Sequence, residues 1–218
     1  MPAKNIIKEF APETYYHIYN RGVAKQKIFL DNQDYKVFLG YLKLYLSQPD
    51  LQGRTLKVAP TRKLKNYYDL ARLLAYCLLP NHFHLFVYQK ESSTITNFMR
   101  SIGTKYSMYF NKKYKRVGPV FQGRYKGVMI VSEIQFIYLS KYIHRNPLPL
   151  PTGTDLVGYK YSSYPVYLGK FNQGWVDKSE ILSYFSKIKP VESYRQFVEE
   201  IDERDLRLIK NEMLDYEF

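Results

Sequence analysis

The stretch Leu73-Leu74-Ala75-Tyr76-Cys77-Leu78-Leu79-Pro80-Asn81-His82-Phe83-His84-Leu85-Phe86-Val87-Tyr88 decides the fold. Two runs of strand-forming residues flank Pro80-Asn81, a pair that favours a turn, so 73–79 and 82–88 read as neighbouring strands of a tight hairpin. Side chains alternate faces along a strand, which points His82 and His84 one way and Phe83 and Leu85 the other. Nearly everything around these imidazoles is apolar, where burial without a partner would be costly. Two readings of the pair stay open: hydrogen-bonded structural histidines, or ligands of one shared cation. Zinc usually takes three protein ligands in a catalytic site, and only His17 or His144 is left to complete a three-histidine set. Spacing alone does not choose between these.

Working outward, Thr14-Tyr15-Tyr16-His17-Ile18-Tyr19 reads as a first strand that stops at Asn20-Arg21-Gly22. Asp31 or Asn32 can cap a helix over Tyr35 to Leu46, where Val37, Phe38, Tyr41, Leu42 and Tyr45 recur at helical spacing. A polar stretch with Pro49, Gly53 and Pro60 gives no readable element. Ser93 or Thr94 starts a helix reaching Lys113, with Ile95, Phe98, Met99, Ile102, Tyr106, Tyr109 and Phe110 as its apolar stripe. Gly118-Pro119 ends that region, and Val120 to Val131 holds a further strand. Ser132-Glu133-Ile134-Gln135 has the capping-box pattern, opening a helix that runs to about Arg145 before Pro147 stops it.

Beyond Asn146 the composition turns to Pro, Gly, Ser and Tyr, which places a main domain over residues 1–150 and a C-terminal extension over 151–218. Within the extension, Ser179 to Lys187 and Ser193 to Leu214 read as helical. Strands alternating with helices around a central hairpin indicate an α+β class. The simplest arrangement is a ferredoxin-like antiparallel sheet with helices packed on one side.

A chain of 218 residues supports one well-buried core with an appendage, and 45% hydrophobic with 24% charged residues is ordinary for a globular protein. No apolar run approaches the roughly 20 residues of a bilayer helix, and the first thirty residues carry no secretory-signal pattern. The expectation is a cytoplasmic protein with no membrane partner. Cys77 is the single cysteine, so an intrachain disulfide and a cysteine-based zinc site are both excluded; it reads as a buried, inert thiol.

The formal charge of +13 is unevenly spread. Val191 to Phe218 holds nine acids against four bases, whereas Ser92 to Ser132 holds no acid and eight bases. Tyrosines and phenylalanines interleave with those bases, a combination that suits phosphates and unpaired nucleobases better than a merely solvated face. Arg100, Lys105, Lys112, Lys113, Arg124 and Lys126 are the candidate contacts to a nucleic-acid phosphate backbone, and binding through them should weaken steeply with salt.

The helix from Glu133 supplies a second chemical feature. Tyr142 and Asn146 lie four residues apart, on nearly the same face, and pair a phenol with an amide oxygen. The phenol is a candidate nucleophile and the amide a candidate third metal ligand; with 23 tyrosines in the chain, possession of one means little, and Tyr138, one turn earlier, is the rival nucleophile.

Taken in order, Tyr16-His17-Ile18-Tyr19-Asn20-Arg21-Gly22, Leu79-Pro80-Asn81-His82-Phe83-His84-Leu85, Gly118-Pro119-Val120-Phe121-Gln122-Gly123-Arg124-Tyr125 and Tyr142-Ile143-His144-Arg145-Asn146-Pro147 resemble the single-tyrosine HUH transposases, and most closely the REP-associated tyrosine transposases. Tyr161-Ser162-Ser163-Tyr164 through Tyr167-Leu168-Gly169 also looks like that group's C-terminal extension. The resemblance implies that His82 and His84 are metal ligands, that Tyr142 is the catalytic nucleophile, and that Asn146 is a third, polar ligand. Relatives often place glutamine there, and Pro147 disfavours helical geometry at the residue before it. The implied activity is metal-dependent cleavage and rejoining of single-stranded or hairpin DNA through a 5′-phosphotyrosine. Mg²⁺ or Mn²⁺ would be the cofactor, with no other small molecule, and the protein would be a monomer or homodimer. A non-cleaving DNA- or RNA-binding regulator on the same fold, and a zinc hydrolase using His82, His84 and His17, are the competing readings.

Overall fold

The computed structural model describes residues 10–49, 65–148 and 155–200. Strand β1 (Thr14–Arg21) leads through a single 3-10 turn to helix α1 (Asn32–Leu46). The hairpin follows as β2 (Ala71–Leu79) and β3 (His82–Gln89), then helix α2 (Thr94–Lys113), strand β4 (Lys126–Met129) and helix α3 (Glu133–Arg145). Three short helices complete the described chain: α4 (Tyr164–Tyr167), α5 (Ser179–Leu182) and α6 (Pro190–Glu199).

The sheet runs β2-β3-β1-β4 with every neighbouring pair antiparallel, the ferredoxin-like order expected from the sequence. Local chemistry explains where the elements start. At α1 the Asp31 carboxylate accepts from the backbone N–H of Gln33 and Asp34, while the Asp34 carboxylate accepts from Asp31 N–H; this reciprocal cap satisfies donors that a helix start leaves open. At α3 the Ser132 hydroxyl accepts from Gln135 N–H. The strand in the Val120–Val131 region forms only over Lys126–Met129, because Phe121 makes an isolated bridge to Gly22 and the chain turns at Gly123 in left-handed geometry (φ 68°).

The helices divide between the two faces of the sheet, where the sequence reading had packed them on one. In the β1/β3 register Tyr19 lies opposite His84 and Arg21 opposite His82, so His17, Tyr19, Arg21, His82, His84 and Phe86 share a face. Helix α3 covers it: Phe136 meets Phe86 and Tyr15 edge-on, with ring centroids 5.1 and 4.9 Å apart. Phe83, one strand position out of phase, turns to the opposite face, where Phe38 of α1 packs on it at 5.2 Å and Tyr106 of α2 packs on Phe38 at 5.1 Å. The odd face of β3 builds the main apolar layer, and the even face carries the histidines under α3.

The boundary near residue 150 is one of composition, since described residues on both sides of it share the core. The extension lines the outer edge of β2: Ser162 bridges Cys77, and Leu78 N–H donates to Tyr161 C=O. Covering this edge removes a template for unwanted strand pairing. Cys77 is buried, and burial pushes its thiol well up, as an inert core cysteine requires. The expected helix from Ser193 is present as α6 up to Glu199; the rest of that expectation, and the polar stretch from Pro60 back to Asp50, lie outside the described residues. No helix among the described residues is long and apolar enough to cross a membrane.

Candidate active site

His82 and His84 stand two positions apart on β3, with ring centroids 5.1 Å apart and planes crossing at 89°. His84 is fully buried, and its Nδ1 is 2.9 Å from Nε2 of His17, across β1. Tyr19 closes the group, its ring 4.9 Å from that of His17 and 5.9 Å from that of His84. The sequence reading had used His17 only as a spare zinc ligand. What brings it here is pairing between strands more than sixty residues apart, which no local pattern announces. Among the described residues no three His, Cys, Asp or Glu side chains group to hold a metal ion, so the three-histidine zinc set finds no support.

The environment keeps these rings neutral. Burial, reinforced by the charge of Arg21, lowers His82 to about 4, against an opposing hydrogen bond from the Asn146 side chain. Burial also holds His84 far below the usual histidine range, with His82 and His17 pushing the same way. A neutral imidazole offers a lone pair on one nitrogen only, and neighbours decide which. The Asn81 amide oxygen lies 2.6 Å from His82 Nδ1; as an acceptor it fixes the proton there and leaves Nε2 as the basic atom. If His84 donates its Nδ1 proton to His17 Nε2, His84 Nε2 becomes basic as well.

Helix α3 delivers Tyr142 onto this cluster. Its half-buried ring stands edge-on to His84 (centroids 5.5 Å, 86°) and to His17 (5.8 Å, 79°). Tyr138 turns away, its ring meeting Phe197 of α6 at 5.3 Å. One turn beyond Tyr142, Asn146 caps the helix with Nδ2 donating to Tyr142 C=O at 3.1 Å, and its side chain also bonds the His82 ring. Contrary to the expectation from Pro147, the Asn146 backbone is helical (φ −53°, ψ −26°). The structure thus gathers His82, His84, Tyr142 and Asn146 at one end of one sheet face.

Residues 59–146 match the family model of the IS200-like transposases. All four gathered residues fall inside that stretch, which agrees with the family resemblance carried by the ordered motifs. The fold agrees with a solved REP-associated tyrosine transposase bound to a REP hairpin: TM-score 0.54 and 12% identity over 79% of this chain and 87% of that one. A putative transposase from Deinococcus radiodurans R1 gives TM-score 0.39 and 14% identity over 64% of this chain and 95% of that one. No curated protein matches.

The basic residues separate into distinct settings. Arg100, Lys105 and Lys112 are exposed along helix α2, and Arg124 is exposed on the loop before β4. Lys126 pairs with Tyr19 in the β1/β4 register, which puts it on the histidine face, its Nζ 5.8 Å from the Tyr19 ring centre. Arg21, at the end of β1 opposite His82, was not singled out from sequence as a site residue, although the alternation His17-x-Tyr19-x-Arg21 carries that signal. Lys113 is a correction. Its Nζ lies 2.7 Å from both Asp31 and Asp34, with the Tyr109 and Tyr114 hydroxyls donating to Asp34 beside it. That charge is matched inside the protein, tying the end of α2 to the start of α1.

Proposed function

We propose that this protein cuts and rejoins hairpin-forming single-stranded DNA, with Tyr142 as nucleophile. The observation that carries the reading is the edge-on approach of Tyr142 to His84, on a helix whose next turn bonds Asn146 to His82. Two neutral imidazoles and an amide oxygen form a donor set that fits a divalent cation, so His82, His84 and Asn146 are the residues that would hold it. Bound there, Mg²⁺ or Mn²⁺ supplies polarisation of the scissile phosphate and offsets charge developing in the transition state.

This chain's own residues do the rest. The Tyr142 oxygen forms a bond to phosphorus as the bond from phosphorus to the 3′ oxygen breaks. The phenolic proton leaves to solvent and the departing oxygen takes one up, giving a 5′-phosphotyrosine and a free 3′-OH. The phosphodiester linkage is conserved, so a second 3′-OH can reverse the step and join strands. Arg21 and Lys126, flanking the histidines, orient the phosphate. The hairpin bound by the solved REP-associated transposase supports the choice of substrate class.

The test is covalent attachment of the protein to a cleaved hairpin oligonucleotide in Mn²⁺ or Mg²⁺. Adduct is expected from wild type and from Tyr138→Phe, none from Tyr142→Phe, and none in chelator until the metal is restored. An adduct with Tyr142→Phe would remove the nucleophile assignment. Metal-independent binding without cleavage would favour a regulator on the same fold.

A further inference from the structure

A groove of about 830 Å³ lies on the opposite face of the sheet from the histidines, between α2 and the loop of residues 119–125. Its floor is apolar, formed by Phe38, Phe83 and Ile102, all buried. Its walls include the half-buried rings of Phe121 and Tyr125. Arg100 from the helix and Arg124 from the loop lie at its exposed rim, and no carboxylate is among its described lining residues.

We infer that this groove takes one unstacked base of the single strand adjoining the cleaved phosphate. The inference rests on the proposed action on single-stranded DNA and adds a second, separate contact to it. Aromatic walls accept the flat face of any base, apolar floors suit its ring, and two guanidinium groups hold the phosphates on either side. An acidic or purely apolar occupant meets only part of this chemistry. The groove is also joined to the candidate active site. Arg21, opposite His82, donates through Nε to Gln122 Oε1 at 2.6 Å, and Asn20, its neighbour in β1, donates to Gly123 C=O at 3.3 Å. Gln122 and Gly123 belong to the groove wall, so a strand passing Arg21 reaches the groove across the end of β1.

Gly103 holds the groove open. It lies in the interior of α2, where glycine costs about 1 kcal/mol relative to alanine, and a Cβ built on it would meet nothing within 4 Å. Packing therefore does not require glycine there. The missing side chain leaves the helical wall clear between Arg100 and Ser107, which share its face.

The test compares a hairpin oligonucleotide carrying a single-stranded extension with the same hairpin lacking it. Wild type should bind the extended form roughly tenfold more tightly, the scale that one stacked base contributes. An abasic site at one position of the extension, and Gly103→Leu in the protein, should each abolish that advantage, and 2-aminopurine at that position should change its emission only with wild type. Because the abasic arm alters the DNA alone, it stands whatever the variant does to folding. An advantage that survives both changes overturns the groove while leaving cleavage by Tyr142 intact, as read by the adduct assay. Absence of wild-type binding to either oligonucleotide overturns both. Self-association lost in Gly103→Leu, without an extension effect, would give the groove to a second copy.

Discussion

Two buried histidine groups sit on opposite sides of helix α3. On the sheet side His84 meets another imidazole, His17, and the edge of Tyr142. On the outer side His144 has Nδ1 2.6 Å from the Tyr194 hydroxyl and Nε2 2.7 Å from the Ser163 hydroxyl. Both rings are fully buried, and burial pulls both below the usual histidine range, His144 to about 3. Burial and a shifted titration therefore do not mark a site of chemistry. The neighbours distinguish the two: hydroxyls from the extension turn His144 into a clamp between elements, whereas the His17 imidazole and the Tyr142 phenol keep His84 within the group proposed to hold a cation.

The largest expected effect separates these roles. His84→Ala should cut adduct formation by two orders of magnitude or more, while His144→Leu should leave the adduct yield per folded molecule within a few-fold. The latter removes the bonds to the Tyr194 and Ser163 hydroxyls, each at roughly 0.5–1.5 kcal/mol since both keep another partner, and should lower the urea midpoint clearly. An inactive but undiminished His144→Leu protein would break the distinction.

A smaller effect tests the clamp by pH. With the folded His144 at about 3 against an ordinary value of 6.5, the unfolded chain binds the extra proton. Its contribution is whole above pH 6.5 and is lost as pH falls toward 3, with a slope of about 1.4 kcal/mol per pH unit. Urea unfolding of His144→Gln should show a flatter acid limb than wild type; an equal slope would assign the acid sensitivity elsewhere.

The smallest carries the same lesson to α2, where adjacent lysines differ only in company. Lys112→Ala should reduce the slope of log affinity against log salt by roughly 0.7–0.9, as one lost phosphate contact does, and Lys113→Ala should leave it unchanged while lowering stability. Equal slopes for the two would return Lys113 to the DNA surface.

What was legible in the sequence was whatever a short window contains. Alternation across His82-Phe83-His84 gave the shared face, Ser132 the start of α3, and four-residue spacing the pairing of Tyr142 with Asn146. What a window cannot contain was missed. His17 reaches His84 only through the β1/β3 register, and Lys113 reaches Asp34 across 79 residues. The face covered by α3 was hidden for a related reason: an amphipathic helix declares which of its sides is apolar, not which side of a sheet receives it. At Asn146 a local rule failed because bonds to Tyr142 C=O and His82 outweigh the steric preference imposed by proline.

The backing of α3 also has a temporal side. Arg145 at its end donates to Val198 C=O at 2.6 Å, and His144 waits for Tyr194, so the supports for the helix that carries Tyr142 are the last described parts of the chain to leave the ribosome. Domains begin to fold from the N-terminus during synthesis. The sheet with its histidines can thus assemble while translation continues, but Tyr142 acquires its final seat only after Tyr194 and Val198 have emerged. Synthesis itself thus separates the assembly of the histidine face from the seating of Tyr142.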